Sequence, residues 1–119
     1  MDGEISADEL WEMLQADKPV RIVDIRSPGQ FQRGHIPDSE NIPFGELTSR
    51  IEALENDDHV VTACPHGQAS VQAARLIGSY EGFDGRVESL ESGIEGWSHG
   101  LETGESSDSE ERDAPDPPF

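Results

Sequence analysis

His59-Val-Val-Thr-Ala63 runs directly into Cys64-Pro-His-Gly-Gln-Ala-Ser70, and residues 69–80 follow with Val71, Ala74, Leu76 and Ile77 at helical spacing. A five-residue apolar run, a polar glycine-bearing turn and an amphipathic segment read as strand, loop and helix in that order. The same grammar extends in both directions. Val87-Glu-Ser-Leu90 downstream is a further short strand, and Val20-Arg-Ile-Val-Asp-Ile25 upstream is another buried one. Parallel strands need crossover connections, which helices supply. Alternation of this kind therefore specifies an α/β fold: a single domain with a mostly parallel central sheet and helices on both faces.

The remaining elements fit between those landmarks. Ser6-Ala-Asp-Glu9 forms a capping box that opens a helix with Leu10, Trp11 and Leu14 turned inward. Ser27-Pro28 opens a short helix that Gly34 closes. Residues 46–54 place Leu47, Ile51 and Leu54 on one helical face, and residues 93–99 form a last helix around Trp97. Asn41-Ile-Pro43 is too short to assign by pattern. From Leu101 onward the chain holds seven carboxylates and three prolines with almost nothing apolar. Such a segment cannot bury enough surface to offset its chain entropy. The expected organisation is thus a domain over residues 1–100 and an acidic, proline-containing disordered tail over 101–119.

The chain of 119 residues carries 26 acidic and 8 basic side chains, a formal charge of −18. The domain segment alone, residues 1–100, holds 19 acidic and 7 basic residues, or −12. Nothing there neutralises a run of phosphates or seeks an anionic membrane, so no nucleic-acid or membrane partner is expected. Lys18 is the one lysine. A surface so acidic repels itself in dilute buffer and is relieved by salt, which points to a halophilic setting. One cysteine excludes an internal disulfide and any cysteine-based metal site. The four histidines (His35, His59, His66 and His99) lack paired metal-ligand spacing. Neither metal nor cofactor is expected. Met1-Asp2-Gly3-Glu4 shows no positive or apolar leader region, so the expected location is cytoplasmic.

In a parallel α/β sheet, ligands gather where strand C-termini meet helix N-termini. Cys64 stands at such a junction. A helix start presents backbone N–H groups without internal partners and the positive end of the dipole, and both favour a thiolate. Gly67 lets successive N–H groups converge on one point as an anion nest. The alternative is an inert cysteine that ends a core strand. A filler has no use for the polar, glycine-bearing turn that follows, so the reactive reading is preferred. His66 has two readings, a group that helps stabilise the thiolate or orient a substrate, or a solvent-facing loop histidine, the commoner case.

In this loop and three further segments the sequence resembles the rhodanese (thiosulfate sulfurtransferase) family, its small single-domain members in particular. Asp24-Ile25-Arg26 with Phe31 and Gly34-His35-Ile36-Pro37 is similar to the family's first signature, and Asn41-Ile42-Pro43 to the segment after it. Cys64-Pro65-His66-Gly67-Gln68-Ala69-Ser70 resembles the active-site loop, and Leu90-Glu91-Ser92-Gly93-Ile94-Glu95-Gly96-Trp97 the closing stretch, with Ser92 at a glycine position. The resemblance implies a Cys64 thiolate that accepts a sulfane sulfur and becomes a persulfide. Pro65, His66, Gly67, Gln68, Ala69 and Ser70 would bind substrate and persulfide. A small anionic donor such as thiosulfate would supply the sulfur, and a thiol or protein would accept it. Many members carry an arginine or lysine inside the loop, and this one does not. Asp24, Arg26, Gly34 and His35 are read as structural support, and a monomer is favoured.

Two other functions fit the same fold class. A cysteine phosphatase or arsenate reductase needs an arginine that clamps a tetrahedral anion, and the nearest one, Arg75, lies well along the following helix. A non-catalytic rhodanese-like binding module is the stronger alternative, and retention of Cys64 beside a glycine-bearing loop speaks against it.

Overall fold

The computed structural model describes residues 2–103. Five strands form one sheet: β1 (Asp2–Ile5), β2 (Arg21–Asp24), β3 (Ser39–Asn41), β4 (His59–Ala63) and β5 (Arg86–Leu90). Their order is β1-β5-β4-β2-β3, and every neighbouring pair is parallel. Between them lie α1 (Ala7–Gln15), α2 (Pro28–Arg33), α3 (Leu47–Arg50) and α4 (Ala69–Ser79), with 3₁₀ turns at Phe44–Glu46, Ile51–Leu54 and Ile94–Gly96. No helix among the described residues is long and apolar enough to cross a membrane.

Alternation along the central strands splits the core in two. Val23, Val60 and Val87 face a cluster completed by Leu47, Ile51, Leu54, Ala73, Ala74 and Ile77, which brings α3 and α4 onto that face. Ile22, Val61 and Leu90 face the other way, onto Leu10 of α1 and onto Ile94 and Trp97. Both faces of a parallel sheet are buried, as its apolar strands require. The capping box at Ser6 and Glu9 forms as its sequence dictates, each side chain meeting the other residue's backbone N–H at 3.1 and 3.0 Å. Ser27 and Gln30 cap α2 in the same reciprocal way, and Gly34 ends that helix.

Two expectations need correction. The helix expected over residues 93–99 is a single 3₁₀ turn, because Gly93 stands at φ +70° and the chain bends there. The helix expected over 46–54 is split into α3 and flanking 3₁₀ turns. Just past residue 100, Glu102 exchanges both backbone hydrogen bonds with His35, at 2.8 and 2.7 Å, and Leu101 packs over Gly34. A segment with little apolar content still docks here because an unpaired backbone edge at His35 accepts it. The rest of the expected tail, residues 104–119, lies outside the described residues.

Candidate active site

β4 delivers Cys64 to the C-terminal edge of the sheet, and α4 begins five residues later. Of the seven residues expected to form the loop, Ala69 and Ser70 are already the first two of α4. The thiol is buried, 2% exposed. Its sulfur nonetheless lies within a ring of donors. The N–H groups of Gly67 and Ser70 donate to Sγ at 3.1 and 3.3 Å, and the Ser70 hydroxyl lies 3.4 Å away. Burial pushes the thiol up, but the Ser70 hydroxyl and the N–H groups of Ser70, Gly67 and His66 outweigh it. The Cys64 thiol therefore sits below the ordinary cysteine value.

Two glycines shape the cradle. Gly67 adopts φ +85°, and a Cβ there would overlap the carbonyl oxygen of Glu91. Gly93, at φ +70°, would collide in the same way with the carbonyl of Pro65. The two backbones thus cross in close contact, which only residues lacking Cβ permit. The crossing is sealed by hydrogen bonds from Ile94 N–H to the Cys64 carbonyl at 2.8 Å and from Glu95 N–H to the Pro65 carbonyl at 3.1 Å. Sequence reasoning read the closing segment as a last helix around Trp97 and missed this clasp. The left-handed glycine immediately before the last turn was its visible signal.

The remaining loop side chains divide by direction. Pro65 is partly buried, whereas His66, Gln68 and Ala69 are exposed. His66 contributes its backbone N–H to the field on the sulfur, while its ring faces outward with Nδ1 3.7 Å from Glu95 Oε1. Gln68 occupies the helix cap without a side-chain hydrogen bond.

Asp24, Arg26, Gly34 and His35 come together as a separate cluster. Asp24 is fully buried and receives Arg26 through three side-chain hydrogen bonds, Nε to Oδ1 and Oδ2 at 3.0 and 3.1 Å and Nη2 to Oδ2 at 2.7 Å. Arg26 Nη2 also donates to the Gly34 carbonyl at 2.6 Å, which ties the end of β2 to the end of α2. His35 is buried, stacks on Phe31 with ring centres 3.8 Å apart, and its Nδ1–H donates to the Phe31 carbonyl at 2.7 Å. No side chain of this cluster hydrogen-bonds the Cys64 loop among the described residues. Asn41 continues the cluster, donating from Nδ2 to the carbonyls of Asp24 and Arg26 at 3.0 and 2.9 Å.

A parallel α/β sheet whose strand edge holds a cysteine in a ring of N–H donors defines a thiol-centred α/β domain. The rhodanese-like domain family matches residues 6–99, and the chain belongs to that family. A sulfurtransferase of Allochromatium vinosum is 35% identical over 102 residues, spanning 85% of this chain and 94% of that protein. The thiosulfate sulfurtransferase GlpE of Shewanella oneidensis is 37% identical over 93 residues, 78% of this chain and 89% of that one. Among solved structures, a rhodanese-like domain protein from Staphylococcus aureus superposes with a TM-score of 0.74 at 28% identity, covering 87% of this chain and 98% of that chain. The human single-domain sulfurtransferase TSTD1 gives 0.68 at 29% identity, covering 79% and 93%.

Proposed function

We propose that this protein is a sulfurtransferase that carries a sulfane sulfur on Cys64 as a persulfide. The reading rests above all on the convergence of the Gly67 and Ser70 N–H groups and the Ser70 hydroxyl on one sulfur atom. An arrangement that holds a thiolate also holds an anion attached to it, by charge-assisted hydrogen bonds in a dry site. Names of relatives support the same chemistry.

The steps follow from the thiolate. With thiosulfate as donor, Cys64 Sγ attacks the outer sulfur, the S–S bond of the donor breaks, and sulfite leaves with the bond's electron pair. The product is Cys64–S–S⁻, its charge held by the loop. A second nucleophile, a thiol or cyanide, then attacks the outer sulfur and carries it away as persulfide or thiocyanate, and the Cys64 thiolate returns. Charge balances at each step and no redox partner is required. The thiol donates to the Ser70 oxygen, and once it is ionised the Ser70 hydroxyl turns to donate to the sulfur, while Gly67 permits the turn that aims the N–H groups.

The test is turnover with thiosulfate and cyanide. Thiocyanate should form at a rate that falls at least a hundredfold in Cys64→Ser, consistent with loss of the nucleophile in covalent catalysis, while aryl phosphates are left intact. If the wild-type protein transfers no sulfur from thiosulfate, mercaptopyruvate or a small organic persulfide, the enzyme reading fails and a rhodanese-like binding module takes its place. Phosphate-ester turnover that depends on Cys64 and exceeds sulfur transfer would overturn it in favour of a phosphatase.

A further inference from the structure

Thr62 is a polar residue in the middle of an apolar strand, between Val60, Val61 and Ala63, and none of its surface is exposed. A buried hydroxyl must find a partner. This one does not bond along its own strand. Its Oγ1 donates to the carbonyl of Ser70 at 2.8 Å, across the gap from β4 to the first turn of α4, with the Glu88 carbonyl of β5 a far weaker alternative at 3.5 Å. Ser70 is itself fully buried and is the residue that presents both an N–H and a hydroxyl to Cys64 Sγ. Gln68, at the cap of α4, makes no side-chain hydrogen bond. The fixed geometry of the first turn therefore has to come from elsewhere.

We infer that Thr62 is a positioning residue for the sulfur chemistry, holding Ser70 at the distance from which its N–H and hydroxyl reach Cys64. The geometry makes the case. Thr62 lies in β4 two residues before Cys64, about 7 Å along the extended chain, so strand and helix are joined one pleat away from the residue that carries the sulfur. With the hydroxyl removed, the Ser70 carbonyl keeps only its bond within the helix, and the first turn is free to lift away from Sγ. The sulfur then loses two donors at once through a residue whose hydroxyl does not hydrogen-bond it. The inference rests on the sulfur-transfer reading for its purpose, but its physical content concerns the thiol alone.

The test compares Thr62→Val, which keeps the shape and removes the hydroxyl, with Thr62→Ser, which keeps the hydroxyl. Cys64 is the sole cysteine, so alkylation of the full-length protein by iodoacetamide reports on one group. Followed from pH 5 to pH 10, the alkylation profile of Thr62→Val should move to higher pH. Its rate at pH 7 should be about three- to tenfold lower, the fold-change corresponding to a hydrogen bond of ordinary strength. Thr62→Ser should follow the wild-type profile. If Thr62→Val is too unstable to assay, Thr62→Ala at low temperature carries the same expectation. A Thr62→Val or Thr62→Ala profile that superimposes on wild type overturns the inference, and so does a Thr62→Ser profile displaced with the valine variant. No sulfur donor enters this measurement. A wild-type protein that fails to take up sulfur would refute the functional reading without touching the alkylation contrast, and the converse also holds.

Discussion

The Cys64 thiol is lowered by the groups that surround its sulfur. Burial alone would raise its thiol, and hydrogen bonds to the sulfur from Ser70, Gly67 and His66 reverse the sign. A thiol whose folded value lies below the unfolded one contributes stability above the unfolded value, about 8.5. That contribution is lost as pH falls through the folded value. The stability difference between wild type and Cys64→Ser should therefore grow as pH rises through neutrality to about 9, read by urea denaturation at each pH. A difference that shrinks with rising pH would mean that burial outweighs the donors. Gly67 provides the second residue-scale expectation. Alanine there combines a left-handed backbone with a Cβ driven into the Glu91 carbonyl. Gly67→Ala should lose roughly 2 kcal/mol or more in the same experiment and should take up sulfur poorly. A variant as stable and as active as wild type would show that the crossing with Glu91 adapts freely.

Strands and helices were unequally legible from sequence. β4 is found over 59–63 as the apolar run implies, α4 starts at Ala69, and α1 begins behind its capping box. β1 and β3 left no signal, and the sheet order gives the reason: they are its two edges. β3 is Ser39-Glu-Asn41, and β1 has one apolar residue, Ile5. Edge strands pair on one side only and have less need of the continuous apolar run that betrays a central strand. In the candidate site, Cys64 and Gly67 could be picked out because their chemistry is local. Gly93, Ile94 and Glu95 reach the loop from a segment distant in sequence, and Thr62, though close in sequence, acts only through its contact with the first turn of α4. The docking of Glu102 on His35 was hidden for the same reason, since backbone pairing needs no apolar side chain. It carries a third expectation. A chain ending after Gly100 loses two backbone hydrogen bonds and should be about 1–3 kcal/mol less stable than one ending after Thr103. The chain ending after Thr103 should match the full chain. Equal stability of both truncations would show that the pairing contributes nothing.

For the molecule as a whole, charge is the dominant fact. A formal charge of −18 over 119 residues opposes compaction and repels a dianionic donor alike. Several arginines are held in acidic pairs: Arg21 with Glu40 and Asp57, Arg26 with Asp24, Arg50 with Glu46 and Arg86 with Glu88. Such pairing leaves the uncompensated charge to be screened by ions. As the Debye length falls from ~10 Å at 0.1 M to ~3 Å at 1 M salt, the melting temperature should rise with potassium chloride. Over the same range the KM for thiosulfate should fall, because like-charge repulsion of the donor weakens. A melting temperature that stays flat or drops would remove the halophilic reading and leave an ordinary acidic domain.

The central claim is that the donors around Cys64 hold a sulfur-bound anion, and the intact mass of the protein tests it most directly. After incubation with thiosulfate at neutral pH and removal of the donor, the wild-type protein should gain the mass of one sulfur atom. Dithiothreitol or cyanide should return it to its starting mass, and Cys64→Ser should show no gain. A folded wild-type protein that keeps its mass unchanged after thiosulfate, mercaptopyruvate and a small organic persulfide would contradict the account.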